Sequence, residues 1–267
     1  MSMNRKDQWQ FAKKYIRYRF GAGNRHDVHS PFVYAIADQL LRDHRPRPAF
    51  KQVEALRKRL LASTATVNVT DLGAGSLVSG GTVRRISDIT KYAAKPPKYG
   101  QFFYRAAEYF KPAYLLELGT SMGLSTAYMA SANPQASVTT IEGCPNIAKQ
   151  AGENFASLGL QNIRQVTGNF DHVLPEVLAS IPSLDWVFID GNHRAAPTIA
   201  YFEACLPRVH NDTLLIFDDI HWTEDMEQAW EHIKDHPAVT VTIDLFFIGL
   251  VFFKNDVKVK QHYTLKY

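Results

Sequence analysis

The chain has 267 residues, 46% of them apolar and 21% charged, with no repeat or low-complexity tract, the profile of a globular protein of one large domain, or one domain with an extension. Its two cysteines, Cys144 and Cys205, are far apart and unpatterned, which excludes a disulfide framework or a zinc site and fits a reduced, cytoplasmic setting. The longest apolar stretch, Leu245 to Phe253, is too short to span a bilayer, and Met1-Ser2-Met3-Asn4-Arg5-Lys6 is not followed by the apolar core of a signal peptide. The formal net charge of +4 is uneven: residues 1–60 carry 14 Lys/Arg against 5 Asp/Glu, a net of +9, so the remainder is net −5. Such an asymmetry points to an anionic partner or, more simply, to a solvated basic helix face.

Along the chain, Trp9, Ala12, Ile16 and Phe20 recur at helical spacing among Lys13, Lys14, Arg17 and Arg19, which predicts a basic amphipathic helix over 7–20. In His26-Asp27-Val28-His29-Ser30-Pro31, Ser30 suits an N-cap and Pro31 the first helical position, so a helix is expected from Pro31 to about Asp43. Arg45-Pro46-Arg47-Pro48 breaks it, and 49–62 reads as helix again. Residues 1–100 are therefore expected to form a basic helical extension, with Lys95-Pro96-Pro97 marking the boundary before a domain over 101–267. From there strand and helix alternate. Strands are expected at 113–118, 137–142, 162–166, 184–189 and 213–217, followed by a terminal pair, 239–243 and 246–253, joined by a short turn. This pattern predicts a doubly wound, mostly parallel α/β sheet of seven strands with a C-terminal antiparallel hairpin.

Two acid-plus-glycine strings compete for a nucleotide site. Asp71-Leu72-Gly73-Ala74-Gly75-Ser76 follows at best a short strand and is succeeded by glycine-rich residues 77–82, so it reads as a loop or a mobile lid. Glu117-Leu118-Gly119-Thr120-Ser121-Met122-Gly123 follows an apolar strand and leads into a helix that opens at Leu124-Ser125. Glycines let backbone approach a ligand closely, and a helix N-terminus offers unpaired N–H groups. The next strand ends on Glu142-Gly143, where a carboxylate can accept ribose hydroxyls. The dinucleotide spacing G-x-G-x-x-G is absent.

The E-x-G-x-x-x-G string with its strand resembles the first motif of class I S-adenosylmethionine (SAM) methyltransferases. That resemblance implies a Rossmann-like fold, SAM as cofactor, and cofactor contacts from Glu117, Gly119, Ser121, Gly123, Ser125, Glu142 and Gly143, with Asn169 and Phe170 at the adenine. Two later strands run into Asp190-Gly191-Asn192-His193 and Asp218-Asp219, and parallel neighbours about 5 Å apart can deliver these carboxylates to one point. Converging carboxylates call for a cation, and hard oxygen ligands suit Mg²⁺, with Mn²⁺ or Ca²⁺ as alternatives. The run from Trp186 to Trp222 is similar to the metal-dependent catechol and caffeoyl-coenzyme A O-methyltransferases, which carry an Asp and, 28 residues on, an Asp-Asn pair. Here Asp190 and Asp218 keep that spacing, Asp219 stands in the Asn position, and His193 stands where the catechol branch has its lysine base. The resemblance implies metal ligation by Asp190, Asp218 and Asp219, cofactor contact by Asp190, and catalytic roles for Asp190 and His193; without a metal, His193 or His221 would serve as base. The expected activity is SAM-dependent O-methylation of a small-molecule hydroxyl. The alternatives are a methyltransferase-like binding protein whose basic N-terminal helices contact RNA or anionic lipid, and a nicotinamide-dependent dehydrogenase. The methyl acceptor and the oligomeric state, a homodimer included, are not fixed by the sequence.

Overall fold

Proline sets the start of four of the helices in this computed structural model, which describes residues 5–70 and 83–267. In chain order the first elements are α1 (Arg5–Gly21), α2 (Pro31–Ile36, continued by a π turn to Leu41), α3 (Pro48–Leu61), β1 (Thr66–Asn68), β2 (Val83–Arg85), α4 (Ile86–Ala93) and α5 (Pro97–Phe110). They are followed by β3 (Tyr114–Leu118), α6 (Leu124–Ala132), β4 (Ser137–Glu142), α7 (Pro145–Ser157), β5 (Ile163–Thr167) and α8 (Phe170–Ser180). The chain ends with β6 (Leu184–Ile189), α9 (Ala195–Cys205), β7 (Val209–Asp218), α10 (Glu224–Asp235), β8 (Val241–Asp244), β9 (Ile248–Phe252) and β10 (Gln261–Thr264). Pro31, Pro48, Pro97 and Pro145 occupy first turns, where a missing N–H costs nothing and φ is already helical. The Asp71–Ser76 string and residues 77–82, read above as a loop or lid, lie outside the described residues.

Eight strands share one sheet in the order β10-β8-β9-β7-β6-β3-β4-β5, and β1 with β2 forms a separate antiparallel pair. The sheet is mostly parallel, with β9 antiparallel to both β7 and β8. The count corrects the expected seven. The extra strand, β10, pairs in parallel with β8 at the sheet edge and is held by Thr242 Oγ1 and His262 Nδ1 at 2.8 Å. Its sequence, Gln-His-Tyr-Thr, alternates half-buried and exposed positions, so it lacks the apolar run that betrays a central strand.

The chain divides into two compact units, Asp43–Ser180 and Met1–Arg42 with Ile181–Tyr267. In the first, parallel β3, β4 and β5 carry Leu115, Leu116, Leu118, Val138 and Ile141 into the core, and α6 adds Ala127, Tyr128 and Met129, all buried. In the second, the centre is the β6–β7–β9 part of the sheet with Trp186, Phe188, Phe217 and Phe252, and Trp230 of α10 lies against Phe217. Here α1 is seated on the β8–β9 turn: Phe11 lies 5.2 Å and Tyr15 5.0 Å from the Phe246 ring. The Tyr18 hydroxyl donates to the Leu265 carbonyl and accepts the Tyr267 N–H. The His26–Pro31 string has a structural explanation. Asn24 and Asp27 form a capping box, and Ser30 Oγ accepts the Val33 N–H at the start of α2. Among the described residues no helix is long and apolar enough to cross a membrane.

Candidate active site

In the unit formed by Asp43–Ser180, the end of β3 turns sharply into α6. Gly119 (φ 106°), Ser121 (φ 48°) and Gly123 (φ 76°) all take the left-handed region, and the turn is pinned by Gly119 N–H and Thr120 N–H to the Ile141 carbonyl of β4. Gly123 is a packing glycine: a Cβ there would lie 2.4 Å from Phe155 Cε1 of α7. Gly123→Ala therefore adds left-handed strain to overpacking, and we expect a loss of about 2–4 kcal/mol of stability, measurable as a lower urea midpoint with unchanged slope.

Register places the two acids. Glu117 of β3 sits opposite Thr140 of β4, and Glu142 at the end of β4 sits opposite Thr167 of β5. Glu117 is completely buried, and its Oε2 accepts from the Thr126 and Thr140 hydroxyls. Its Oε1 meets no donor among the described residues. Burial pushes this carboxyl up to about 7, against the pull of the two threonine hydrogen bonds and with help from the Glu142 charge. Sequence reasoning missed Thr126 and Thr140; the available signal was the pair of polar residues in the middle of an otherwise apolar β4.

Glu142 is half-buried, and burial raises its carboxyl despite three backbone donors. Ser121 N–H reaches Oε2 at 2.8 Å, Cys144 N–H reaches Oε1 at 3.0 Å, and Gly143 donates as well. A carboxylate offers about four lone-pair sites, so three are already used, one in tying the glycine turn to the strand end and two on the residues that follow it. Ser125 and Gly143 are half-buried around the turn. Asn169 is engaged as a cap: its Oδ1 accepts the Asp171 N–H at 2.9 Å, and Phe170 is the first residue of α8.

The unit formed by Met1–Arg42 and Ile181–Tyr267 holds the other predicted residues. Ile189 of β6 and Phe217 of β7 are register partners, so the next residues, Asp190 and Asp218, leave neighbouring strand ends side by side. His193 joins them, with Nε2 3.7 Å from Asp190 Oδ1. One ligand atom each from Asp190, His193 and Asp218 lies within 4.8 Å of the others. Ligands on one divalent ion at about 2.0–2.6 Å stand no more than about 5 Å apart, so this donor set fits a single cation. Asp218 is 1% exposed. Asp219 is outside that group; it sits at φ 51° with its N–H on the Phe247 carbonyl at 2.7 Å. Capping of α10 does not explain the acidic pair, because Thr223 caps that helix through the Met226 N–H. His221 is committed elsewhere: Nδ1 lies 3.0 Å from Glu227 and Nε2 2.7 Å from Asp244.

Residues 116–220 match the family model described as a methyltransferase domain. A catechol O-methyltransferase of Niastella koreensis is 32% identical over 127 residues, 46% of this chain and 57% of that protein. The O-methyltransferase imqG of Aspergillus flavus is 30% identical over 115 residues, 41% of this chain and 45% of that protein. The chain thus spans about half the length of these relatives. Among solved structures, the methyltransferase PaMTH1 of Podospora anserina, bound to S-adenosylhomocysteine (SAH), superposes with a TM-score of 0.58 at 14% identity, covering 84% of this chain and 94% of that one. The O-methyltransferase TomG of Streptomyces achromogenes, in complex with SAM, gives 0.56 at 18% identity, covering 84% and 95%. Residues 116–220 are thus similar to a methyltransferase domain, and the sheet shares the Rossmann-like fold of these methyltransferase structures.

Proposed function

We propose that the protein is a SAM-dependent O-methyltransferase acting on a small-molecule hydroxyl with the help of a divalent cation. The observation that carries this reading is the glycine turn clamped by Glu142 at the end of β4; within the other unit, the cluster of Asp190, His193 and Asp218 has cation-binding dimensions and supports the part given to the cation. The names of the relatives, a catechol O-methyltransferase and an O-methyltransferase, support the same acceptor atom. In this proposal SAM-binding belongs to 101–267, residues 1–100 are an extension to it, and Glu117, Gly119, Ser121, Gly123, Ser125, Glu142, Gly143, Asn169, Phe170 and Asp190 serve the cofactor.

The residues suit that ligand. Glu142 keeps about one acceptor site for a ribose hydroxyl, and Glu117, fully buried and held by Thr126 and Thr140, supports the turn from beneath. SAM supplies, when bound, a methyl group on a sulfonium, whose leaving group is a neutral thioether and needs no acid. What remains for the protein is alignment and an ionised nucleophile. Asp190 and Asp218 would hold the cation, which supplies acidity to the acceptor hydroxyl. His193 Nε2, 3.7 Å from Asp190 Oδ1, takes the hydroxyl proton, which leaves the cation to the two carboxylates.

The test is transfer from methyl-labelled SAM to a series of phenols and catechols, with and without a chelator. The proposal expects label on an acceptor oxygen and its loss on chelation. Label on nitrogen or carbon, or bound SAM with no labelled hydroxyl product, contradicts it.

Glu117 gives the unliganded protein a distinct pH signature. Its folded carboxyl titrates near 7, above the unfolded range, so between about pH 4.5 and 7 the folded state holds a proton that the unfolded state has released. Stability from this group therefore falls as pH rises through that window, by about 3 kcal/mol in all. Glu117→Gln removes this slope, so the variant's Tm should gain on that of the wild type between pH 5 and 8. Parallel Tm curves would refute the assignment.

A further inference from the structure

Helix α1 has two opposite faces, and the one predicted from sequence as its apolar stripe is not the one that packs. Phe11, Tyr15 and Tyr18 are seated on Phe246, and Lys14 ties the same side to Glu227 at 2.7 Å. At about 100° per residue, Trp9, Ile16 and Phe20 fall within about 40° of one another on the far side. They are 62%, 56% and 86% exposed. Ala12 is exposed on the same side.

Single exposed apolar residues are ordinary, but three large ones in register on one helix are a surface. Their surroundings are cationic. Lys13 Nζ lies 3.9 Å from the centre of the Trp9 ring, and exposed Arg17 and Arg19 flank the stripe on either side. A helix with aromatic and aliphatic side chains projecting outward between lysine and arginine is the arrangement that lies in the plane of a membrane interface. Its apolar residues enter the acyl boundary and its cations meet anionic headgroups. Tryptophan with a stacked ammonium is at home at headgroup level.

We propose that the outward face of α1, through Trp9, Ile16 and Phe20 with Lys13, Arg17 and Arg19, docks the protein reversibly on an anionic lipid surface. Charge complementarity selects this partner, because α1 carries Arg5, Lys6, Lys13, Lys14, Arg17 and Arg19 against one acid, Asp7. Ile16 and the most exposed residue, Phe20, favour insertion over the base stacking that single-stranded nucleic acid would need. The inward face is used up in holding α1 to its own unit, so docking requires no unfolding of the helix. This inference does not rest on methyl transfer.

The test is flotation of the full chain with vesicles of phosphatidylcholine alone and of phosphatidylcholine with about one quarter phosphatidylglycerol. The protein should float with the anionic vesicles, not the neutral ones, and less so at high salt. Ile16→Asp with Phe20→Asp should weaken binding by about tenfold or more, and Lys13→Glu with Arg17→Glu should do the same. Because these side chains are exposed, both variants should keep the wild-type Tm and the wild-type titration with SAM, which separates this test from that of the proposed function. Failure of the wild type to float with anionic vesicles overturns the proposal. So does flotation of both variants at the wild-type level. RNA retention, or a dimer dissolved by the same substitutions, with no effect of lipid, overturns it as well.

Discussion

Asp218→Ala should reduce methyl transfer by about a thousandfold and abolish the response of the protein to divalent cations. The side chain is 1% exposed at the end of a central strand, and its oxygen lies within 4.8 Å of ligand atoms of Asp190 and His193. A cation polarising an acceptor oxygen contributes several kcal/mol to the transition state, and each 1.4 kcal/mol is a factor of ten. Removing one of two anionic ligands forfeits most of that. The effect on folding should have the opposite sign. Like charges held together in a buried site repel, so the variant should match or exceed the wild type in Tm when no cation is added. With millimolar Mg²⁺ or Mn²⁺ the wild type should gain about 1–3 kcal/mol by mass action, and the variant nothing. A variant that loses activity but still gains stability from the cation would place the cation elsewhere. The paired substitution Asp219→Ala should cost far less, since Asp219 stands outside the group of mutually close ligand atoms and its backbone is spent on the Phe247 carbonyl.

Glu142→Ala should weaken SAM binding by about a hundredfold. A carboxylate accepting a ribose hydroxyl contributes roughly 1.5–3 kcal/mol, and truncation also releases the Ser121 N–H of the glycine turn and the Gly143 and Cys144 N–H groups that follow β4. Both losses fall on the cofactor, so KM for SAM should rise while catalysis at saturating SAM changes less. Folding should fall by about 1–3 kcal/mol, the cost of leaving partly buried donors unsatisfied. Glu142→Gln keeps the length and one acceptor oxygen, and should lie between the wild type and alanine in affinity. Equal affinity for all three proteins would remove Glu142 from the cofactor site.

How much of this was legible in the sequence depended on the kind of signal. The central strands were, because parallel strands buried on both faces read as continuous apolar runs; Leu184–Ile189 was expected and found over the same residues. Strand-end acids followed from topology alone, since the register of Ile189 with Phe217 brings Asp190 and Asp218 together without any long-range information. Strand β10 was hidden because its pairing depends on a neighbour far away in sequence, and its side chains alternate too weakly to announce it. The face of α1 was misread for a related reason. Both Trp9–Ile16–Phe20 and Phe11–Tyr15–Tyr18 fit helical spacing, and only tertiary contact with Phe246 decides between them. The resemblance implied Asp219 as a ligand with Asp190 and Asp218; among the described residues the group of mutually close ligand atoms is Asp190, His193 and Asp218. The support of Glu117 by Thr126 and Thr140 joins residues on three elements, which no local pattern encodes.

The central claim is that the glycine turn and Glu142 form a SAM site, and calorimetric titration of the full chain with SAM, SAH and NAD tests it most directly. One site for SAM and for SAH is expected, weakened about a hundredfold by Glu142→Ala, with no binding of NAD. Absence of binding by both sulfur compounds, or binding that Glu142→Ala leaves unchanged, contradicts it.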